Sequence, residues 1–327
     1  MKHNRIMMFL LTAAFIMTSV INAFSYEFKV MAVKGKVQAI KDGKTEDLKA
    51  GASLSKNDKL KLNDVKSYLS LVHSSGKTIE LKNQGNYNVS ELSSKVAAMK
   101  NSVSQRFANY VIDEISSSKD LLAKGNVKEN MGTTGATERG VVHFNTKKMK
   151  DDNQPFVQKD SYIKINTPRK VNYMTQDIAF NWNKATKGKE YEFQISDRFD
   201  KPVFTKTLTD TSISVNAASL SLDKDVYYFW KVSLKSDNKI KSGDACFLVL
   251  SDKKIASIRD TVKLINEEIG AEKNATASIV LAKFYEQNYI IDEAIKSYRA
   301  ALDQAPDVPE YQNLYKRFLN RINVENN

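Results

Sequence analysis

The sequence predicts a multidomain chain: a small all-β unit with an inserted helix, a β-sandwich, and an α-helical C-terminal segment. Residues 28–90 and 160–252 alternate apolar and polar side chains with period two, the spacing of half-buried strands. Residues 89–124 and 253–327 instead place apolar side chains three and four apart, as amphipathic helices do. The chain has 327 residues, 42% of them hydrophobic, enough for two or three separate cores.

Residues 1–25 read as a secretory signal peptide. Lys2 and Arg5 precede an apolar stretch from Ile6 to Met17, and small or polar residues follow, offering cleavage after Ala23 or Ser25. This predicts a periplasmic or secreted protein; the alternative is an inner-membrane anchor formed by residues 6–24. No Cys follows the apolar stretch, which argues against a lipoprotein. The formal charge of +12 falls to +10 without Lys2 and Arg5. Export argues against nucleic acid as the partner of that charge and for an anionic cell-wall or lipid surface. The excess is +5 over 26–90 and zero over 253–327, so it belongs to the β units.

The first unit spans 26–144. Its strands are read at Val33–Ile40, Leu60–Leu62, Tyr68–Val72 and Thr78–Leu81, with turns at Asp42-Gly43, Lys56-Asn57-Asp58 and Ser75-Gly76. Helical spacing then covers 89–124, through Val89, Leu92, Val96, Met99, Val103, Phe107, Tyr110 or Val111, and Ile115, with Ser90 as N-cap. That helix is expected to pack on its own β unit. The run Met131-Gly-Thr-Thr-Gly-Ala-Thr-Glu-Arg-Gly140 lacks the terminal Gly-Lys-Ser/Thr of a phosphate-binding loop and reads as the approach to a last strand containing His143. Residues 145–158 form a linker.

Val33-x-Gly35-x-Val37, Leu48-Lys-Ala-Gly51, Leu54-x-x-Asn57-Asp58-x-Leu60 and Ser75-Gly76-Lys-Thr-Ile79-Glu-Leu81 resemble the FecR-type periplasmic domain. Asn57 stands where that family has Gly, and Ser75 where it has Asp; both suit turns. The resemblance implies an envelope module. The family's relay to a cytoplasmic segment is not expected, because only a few polar residues precede the apolar stretch.

Residues 159–252 hold seven predicted strands, at 163–165, 178–182, 191–195, 203–204, 213–215, 228–232 and 246–250. Seven short strands without a Cys pair predict an immunoglobulin-like sandwich. Phe180, Trp182, Tyr191, Phe193, Tyr228 and Trp230 have the parity to share its core. Trp182 and the Leu222-x5-Tyr228 spacing are similar to the fibronectin type III pattern, which implies a spacer or binding module.

Residues 253–327 are helical. Leu281, Ala282, Tyr285, Ala294, Tyr298, Ala301 and Pro306 resemble the tetratricopeptide signature, giving one repeat over 275–308, with helices at 254–269 and 309–323 beside it. One repeat cannot bury its own faces, so it must dock on the rest of the chain or on a partner.

No catalytic, cofactor-binding or metal-binding residue is predicted. A single Cys excludes a disulfide framework and multi-cysteine metal sites. His73 is expected at the surface beside its turn, and Cys246 inside an apolar strand. The carboxylate pairs Asp113-Glu114, Asp151-Asp152, Glu267-Glu268 and Asp292-Glu293 are sequence neighbours, which do not converge on one face. The primary expectation is a non-enzymatic envelope scaffold that binds a protein partner through the helices, with Asn288, Tyr289, Arg299 and Gln304 contributing. The alternative is an envelope-glycan binder using Lys34, Lys36, Lys41 and Lys44 with the sandwich aromatics Tyr227 and Phe229.

Overall fold

A computed structural model describes residues 26–96, 103–124, 163–185, 190–269 and 274–322. The signal-peptide segment, Met99, the glycine-rich run, His143 and the linker lie outside the described residues.

The N-terminal unit has eight strands: β1 Phe28–Lys34, β2 Val37–Lys41, β3 Lys44–Asp47, β4 Ser53–Leu54, β5 Lys59–Leu62, β6 Tyr68–His73, β7 Thr78–Leu81 and β8 Gly85–Asn88. They form two four-stranded sheets, β4-β1-β6-β7 and β3-β2-β5-β8. The inward positions of the alternation, among them Phe28, Val30, Val37, Leu60, Leu69 and Leu71, fill one core. Asp42 and Gly43 both adopt positive φ (47° and 77°), as the two-residue β2–β3 turn requires. Gly35 has φ 76°, and a Cβ there would meet Ser67 Oγ at 3.0 Å, so the Val-x-Gly-x-Val spacing serves a close backbone crossing.

Strand β6 breaks the alternation, because all six of its residues are buried. Leu69 and Leu71 face the unit's own core, whereas Tyr68 and Val72 join the large cluster that includes the C-terminal helices. That second face is where the units meet.

The helix predicted over 89–124 is two helices, α1 Val89–Ser94 and α2 Val103–Lys124. Asn88, not Ser90, occupies the N-cap of α1. Val89 and Leu92 close the N-terminal core as expected. Helix α2 packs on β1 of its own unit as expected, but the same face is shared with the C-terminal helices. Phe107, Val111, Ile112 and Ile115 are buried in one cluster with Met31 and Ala32 of β1 and with α4, and Val111 rather than Tyr110 faces inward. Its first amides, Val103 N–H and Ser104 N–H, donate to the Glu268 carboxylate at 3.1 and 2.7 Å. A carboxylate from a distant helix thus satisfies donors that have no partner within α2 itself.

The sandwich has nine strands: β9 Ile165–Thr167, β10 Lys170–Tyr173, β11 Asp177–Trp182, β12 Tyr191–Ser196, β13 Pro202–Leu208, β14 Ser212–Asn216, β15 Tyr228–Leu234, β16 Asp237–Lys241 and β17 Ala245–Val249. The seven predicted strands are present; β10 and β16 are additional. One sheet is β14-β11-β9, and the other is β10-β17-β15-β12-β13 with β16 on β15. Pro168, which has no N–H for a ladder, separates β9 from β10, so one stretch of chain serves both sheets. Phe180 lies edge-on to Phe193 and Trp230 at 4.9 and 5.0 Å between centroids, and Trp182 stacks on Phe193. The Tyr228 hydroxyl accepts from Asp223 N–H at 3.0 Å and fixes the bend before β15. Cys246 is buried, and burial raises its thiol.

The C-terminal helices are α3 Asp252–Ile269, α4 Ala275–Gln287, α5 Ile291–Gln304 and α6 Pro309–Arg321. Ala282, Ala294 and Ala301 are fully buried, and their small side chains permit close helix approach. The Asn274 side chain accepts from Ala277 N–H at 2.8 Å and starts α4. Helix α4 is covered by α5 and by α2, α3 and the β6–β7 face, so even Thr276 and Lys283 on it are buried.

Two polar clusters join the units. In the first, Ser70 and Thr276 hydroxyls meet at 2.7 Å, Tyr68 OH donates to Glu80 at 2.8 Å, and Tyr311 OH lies 3.2 Å from Tyr68 OH. Burial pushes the Tyr311 hydroxyl up to about 12. Burial alone would raise Glu80, but donors from Thr276, Lys82 and Tyr68 hold its carboxyl below the usual range. Tyr311→Phe is expected to cost about 1–2 kcal/mol, since it deletes one member of a buried network. Urea denaturation should show a lower midpoint with an unchanged slope.

In the second cluster, Glu114 of α2 receives Lys283 Nζ at 2.6 Å and Arg321 Nη1 at 2.7 Å. Glu286 receives Arg321 Nη2 at 2.6 Å and the Tyr298 hydroxyl at 2.9 Å. Opposite charges tie α2, α4 and α6, with Arg317 also within 3.9 Å of Glu114, and the Tyr298 hydroxyl joins α5 to the cluster.

Candidate interaction cleft

Between the sandwich edge and the helices lies a cleft of about 670 Å³. One wall is the β9–β10 segment, with Arg169, Lys170 and Val171; the other is the α4–α5 turn and α5, with Tyr289, Ile291, Asp292 and Ile295. Ile322, just after α6, completes the apolar floor. The walls are held in register by the backbone, because Asn172 N–H donates to the Tyr289 carbonyl at 2.8 Å. The Asn172 side-chain amide donates to the Asn288 carbonyl, also at 2.8 Å.

Tyr289 follows the C-cap of α4 with φ 56°, a left-handed conformation in which glycine is usual at a helix end. For an aromatic residue this costs on the order of 1–2 kcal/mol. The turn places the half-exposed ring under Lys170, whose ammonium lies 4.3 Å from the ring centroid and donates to the hydroxyl at 3.2 Å. Burial pulls the Lys170 ammonium down, but the Tyr289 hydroxyl outweighs it and the net direction is up, so Lys170 is charged at neutral pH. On the opposite wall, Asp292 is raised by burial and by Glu293, against Lys296.

Arg169 donates through Nη2 to the Ile165 carbonyl at 2.6 Å, while its Nε is buried without a hydrogen-bond acceptor. Among the described residues no carboxylate is within ion-pairing distance of Arg169 or Lys170. Arg321 also borders the cleft but is engaged by Glu114 and Glu286.

The structure separates the residues expected to bind a protein partner. Asn288 and Tyr289 meet β10, and Tyr289 lines the cleft. Arg299 Nε donates to the Tyr315 hydroxyl at 3.3 Å, and Gln304 donates to Ser278 and to the Ala300 carbonyl, so these two sit along α5 against its neighbours. Arg299 lies about 12 Å along α5 from its first residue, Ile291, with Tyr289 in the turn before it. The sequence does not single out Arg169 and Lys170, and it presents Asp292 only as a neighbour of Glu293. The only signal there was the adjacent pair of cations after Pro168, which becomes informative once β10 is seen to face the helices.

The glycan-binding set does not converge either. Lys34 pairs with Asp307 at 2.9 Å and Lys41 with Glu46 at 2.7 Å. Lys36 and Lys41 lie at opposite ends of β2, about 17 Å apart, with Lys44 opposite Lys41. Tyr227, just before β15, packs against Leu248, Leu250, Ile255 and Ile290, and Phe229 is half-buried on β15.

His73 is buried, contrary to the surface position expected of it. Its Nδ1 lies 2.8 Å from Ser75 Oγ, its Nε2 is 3.3 Å from Glu27 and Ser93, and the Phe28 ring covers it edge-on. Burial lowers its pKa against the opposing effect of Glu27. Helix α1 folds back over the turn and buries a ring that the turn alone would have exposed. Among the described residues, no three His, Cys, Asp or Glu side chains gather as a metal site needs, and no helix is long and apolar enough to cross a membrane.

No protein-family model and no curated protein matches the chain. Among the solved structures similar to part of it are two from one organism. They are the fibronectin(III)-like modules of CbhA from Clostridium thermocellum and a Fn3-like protein from the same organism. The first is 16% identical over 27% of this chain and 94% of that one, with a TM-score of 0.20. The second is 14% identical over 27% and 88%, with a TM-score of 0.19. Likeness at this level carries no argument, and the sandwich stands on its own strand pairing and aromatic core. The class defined by the fold is a multidomain protein of paired β-sheets, a sandwich and C-terminal helices.

Proposed function

We propose that the chain is a non-enzymatic exported scaffold that binds a protein partner in the cell envelope, with the cleft between sandwich and helices as the recognition site. The observation that carries this reading is Tyr289, held in a strained left-handed turn that puts its ring on the cleft wall beside Lys170. Backbone strain of this kind persists where surrounding structure enforces it, and it gathers at binding sites. On this reading the N-terminal unit is a FecR-type module, the middle unit a fibronectin III-like sandwich and 275–308 a tetratricopeptide repeat. Helix α2 and the β6–β7 face cover α4, so on this reading the recognition surface is the junction of the α4–α5 turn with β10. The apolar leader supports export.

The test is site-specific photocrosslinking of the full chain in the native envelope, with a photoreactive phenylalanine at 289 and, as control, at the exposed Val65. A protein adduct at 289 that is absent at 65 and abolished by Ile295→Glu supports the reading. Equal adducts at both positions, or none at 289, would sink it. Tyr289→Gly separates function from folding. It relieves the left-handed strain but removes the ring under Lys170, so stability by urea titration should stay within about 1 kcal/mol while the adduct reported from a second cleft position, Gln287, is lost.

A further inference from the structure

We infer that the cleft recognises an extended segment of the partner carrying an acidic side chain next to an aliphatic one; this rests on the cleft being the partner site. Arg169 and Lys170 are adjacent cations on one wall, and neither has a carboxylate within reach among the described residues. The Arg169 Nε is buried without an acceptor among the described residues, so its guanidinium, which lines the cleft, is partly desolvated and has no carboxylate partner there. Such a group gains most from an incoming anion, because the attraction acts where water no longer screens it.

The rest of the wall sets what accompanies that anion. Val171, Ile291, Ile295 and Ile322 give an apolar floor beside the two cations, which fits an aliphatic side chain adjacent to the carboxylate. Asp292 also lines the cleft and would repel a purely anionic ligand. A peptide answers this with a backbone N–H, which Asp292 can accept. Glu286 adds no repulsion, because Arg321 and Lys283 already engage it. Tyr289 contributes a ring and hydroxyl already bonded to Lys170, which steadies that ammonium in position. The net charge of +10 left after removal of Lys2 and Arg5 favours encounter with an acidic partner.

The test uses the full chain and fluorescein-labelled, end-blocked peptides of alternating Glu and Leu or alternating Gln and Leu, read by anisotropy. The Glu peptide should bind, the Gln peptide about tenfold more weakly, and raising salt should weaken only the former. Lys170→Gln should weaken the Glu peptide about tenfold and Lys170→Arg should retain it. Arg169→Gln should act in the same direction. Because Arg169 also holds the Ile165 carbonyl, the exposed Lys170 variants serve if Arg169→Gln fails to fold. Equal binding of the Glu and Gln peptides, no effect of Lys170→Gln, or no binding of the Glu peptide up to about 1 mM would overturn the inference. Binding of hyaluronate with neither peptide bound would overturn it in favour of an anionic glycan. If the adduct at 289 persists in Lys170→Gln, the acidic-segment inference fails while the partner site stands; if no adduct forms, the partner site fails first.

Discussion

Glu114→Ala is expected to destabilise the protein by about 3 kcal/mol, at the low end of the range for breaking a buried ion pair. The variant leaves the buried Lys283 with only Glu286 at 3.5 Å and removes one of the two carboxylates that hold Arg321. Arg321 is partly open to solvent, which tempers the cost. The measurement is the urea midpoint of the full chain; a shift under about 1 kcal/mol would mean the cluster behaves as a surface network. Glu114→Gln should fall between, since the amide retains the shape without the charge.

The same group makes an acid limb. Burial would raise the Glu114 carboxyl, but Lys283 and Arg321 outweigh it and hold its pKa below the usual value. A carboxylate whose folded pKa is lowered stabilises the fold above its unfolded pKa of about 4.3. That contribution disappears as pH falls through the lowered folded value. Glu80 is lowered as well. Stability of the parent chain should therefore decline below about pH 4, and Glu114→Ala should show a shallower decline, having lost that contribution already.

The larger effect is expected from Trp230→Ala, about 4 kcal/mol. Trp230 is 1% exposed and packs against Phe180, Trp182 and Phe193 in one aromatic layer. Its Nε1–H donates to the Pro168 carbonyl at 2.7 Å, the residue before Arg169. Trp230→Ala therefore removes both the core side chain and the bond that fixes the turn into β10. Trp230→Phe should cost less, about 1–2 kcal/mol, yet still loosen the position of Arg169. Comparing the two by thermal denaturation and by peptide binding separates packing from positioning. Equal stability losses would show that the hydrogen bond, not the ring volume, dominates.

Much of the local structure was legible in the sequence because local patterns caused it. Asp42-Gly43 makes the turn its dipeptide requires, the aromatic positions of 178–232 share one core, and the alanines of 282–301 lie at helix contacts. What was not legible depends on long-range packing. An amphipathic stripe such as Phe107, Val111 and Ile115 states that one face must be buried, without stating against what. The short strand β10 and the burial of His73 depend on neighbours far along the chain. The cleft follows the same logic: Tyr289 could be singled out from its helix end, but Arg169, Lys170 and Asp292 acquire meaning only after β10 docks. All six residues of β6 are buried for the same reason, and its pattern of Tyr68-Leu-Ser-Leu-Val72 was the one local hint of a two-sided strand.

Helix α2 has a consequence for the order of events during folding. It is made early, yet the partners of its charge lie far downstream, with Arg321 separated from Glu114 by 207 residues. Until α4 has been synthesised, Phe107, Val111 and Ile115 are covered only in part, by β1 and α3. Contacts that span so much chain form slowly, because loop closure must precede any gain. The first β unit, whose pairings are nearer in sequence, can assemble while α2 waits. A polypeptide halted before residue 275 would have β1 and α3 against α2 but would lack Phe284 over Phe107 and the Lys283 and Arg321 partners of Glu114, so the C-terminal helices complete a cover that the rest of the chain only begins.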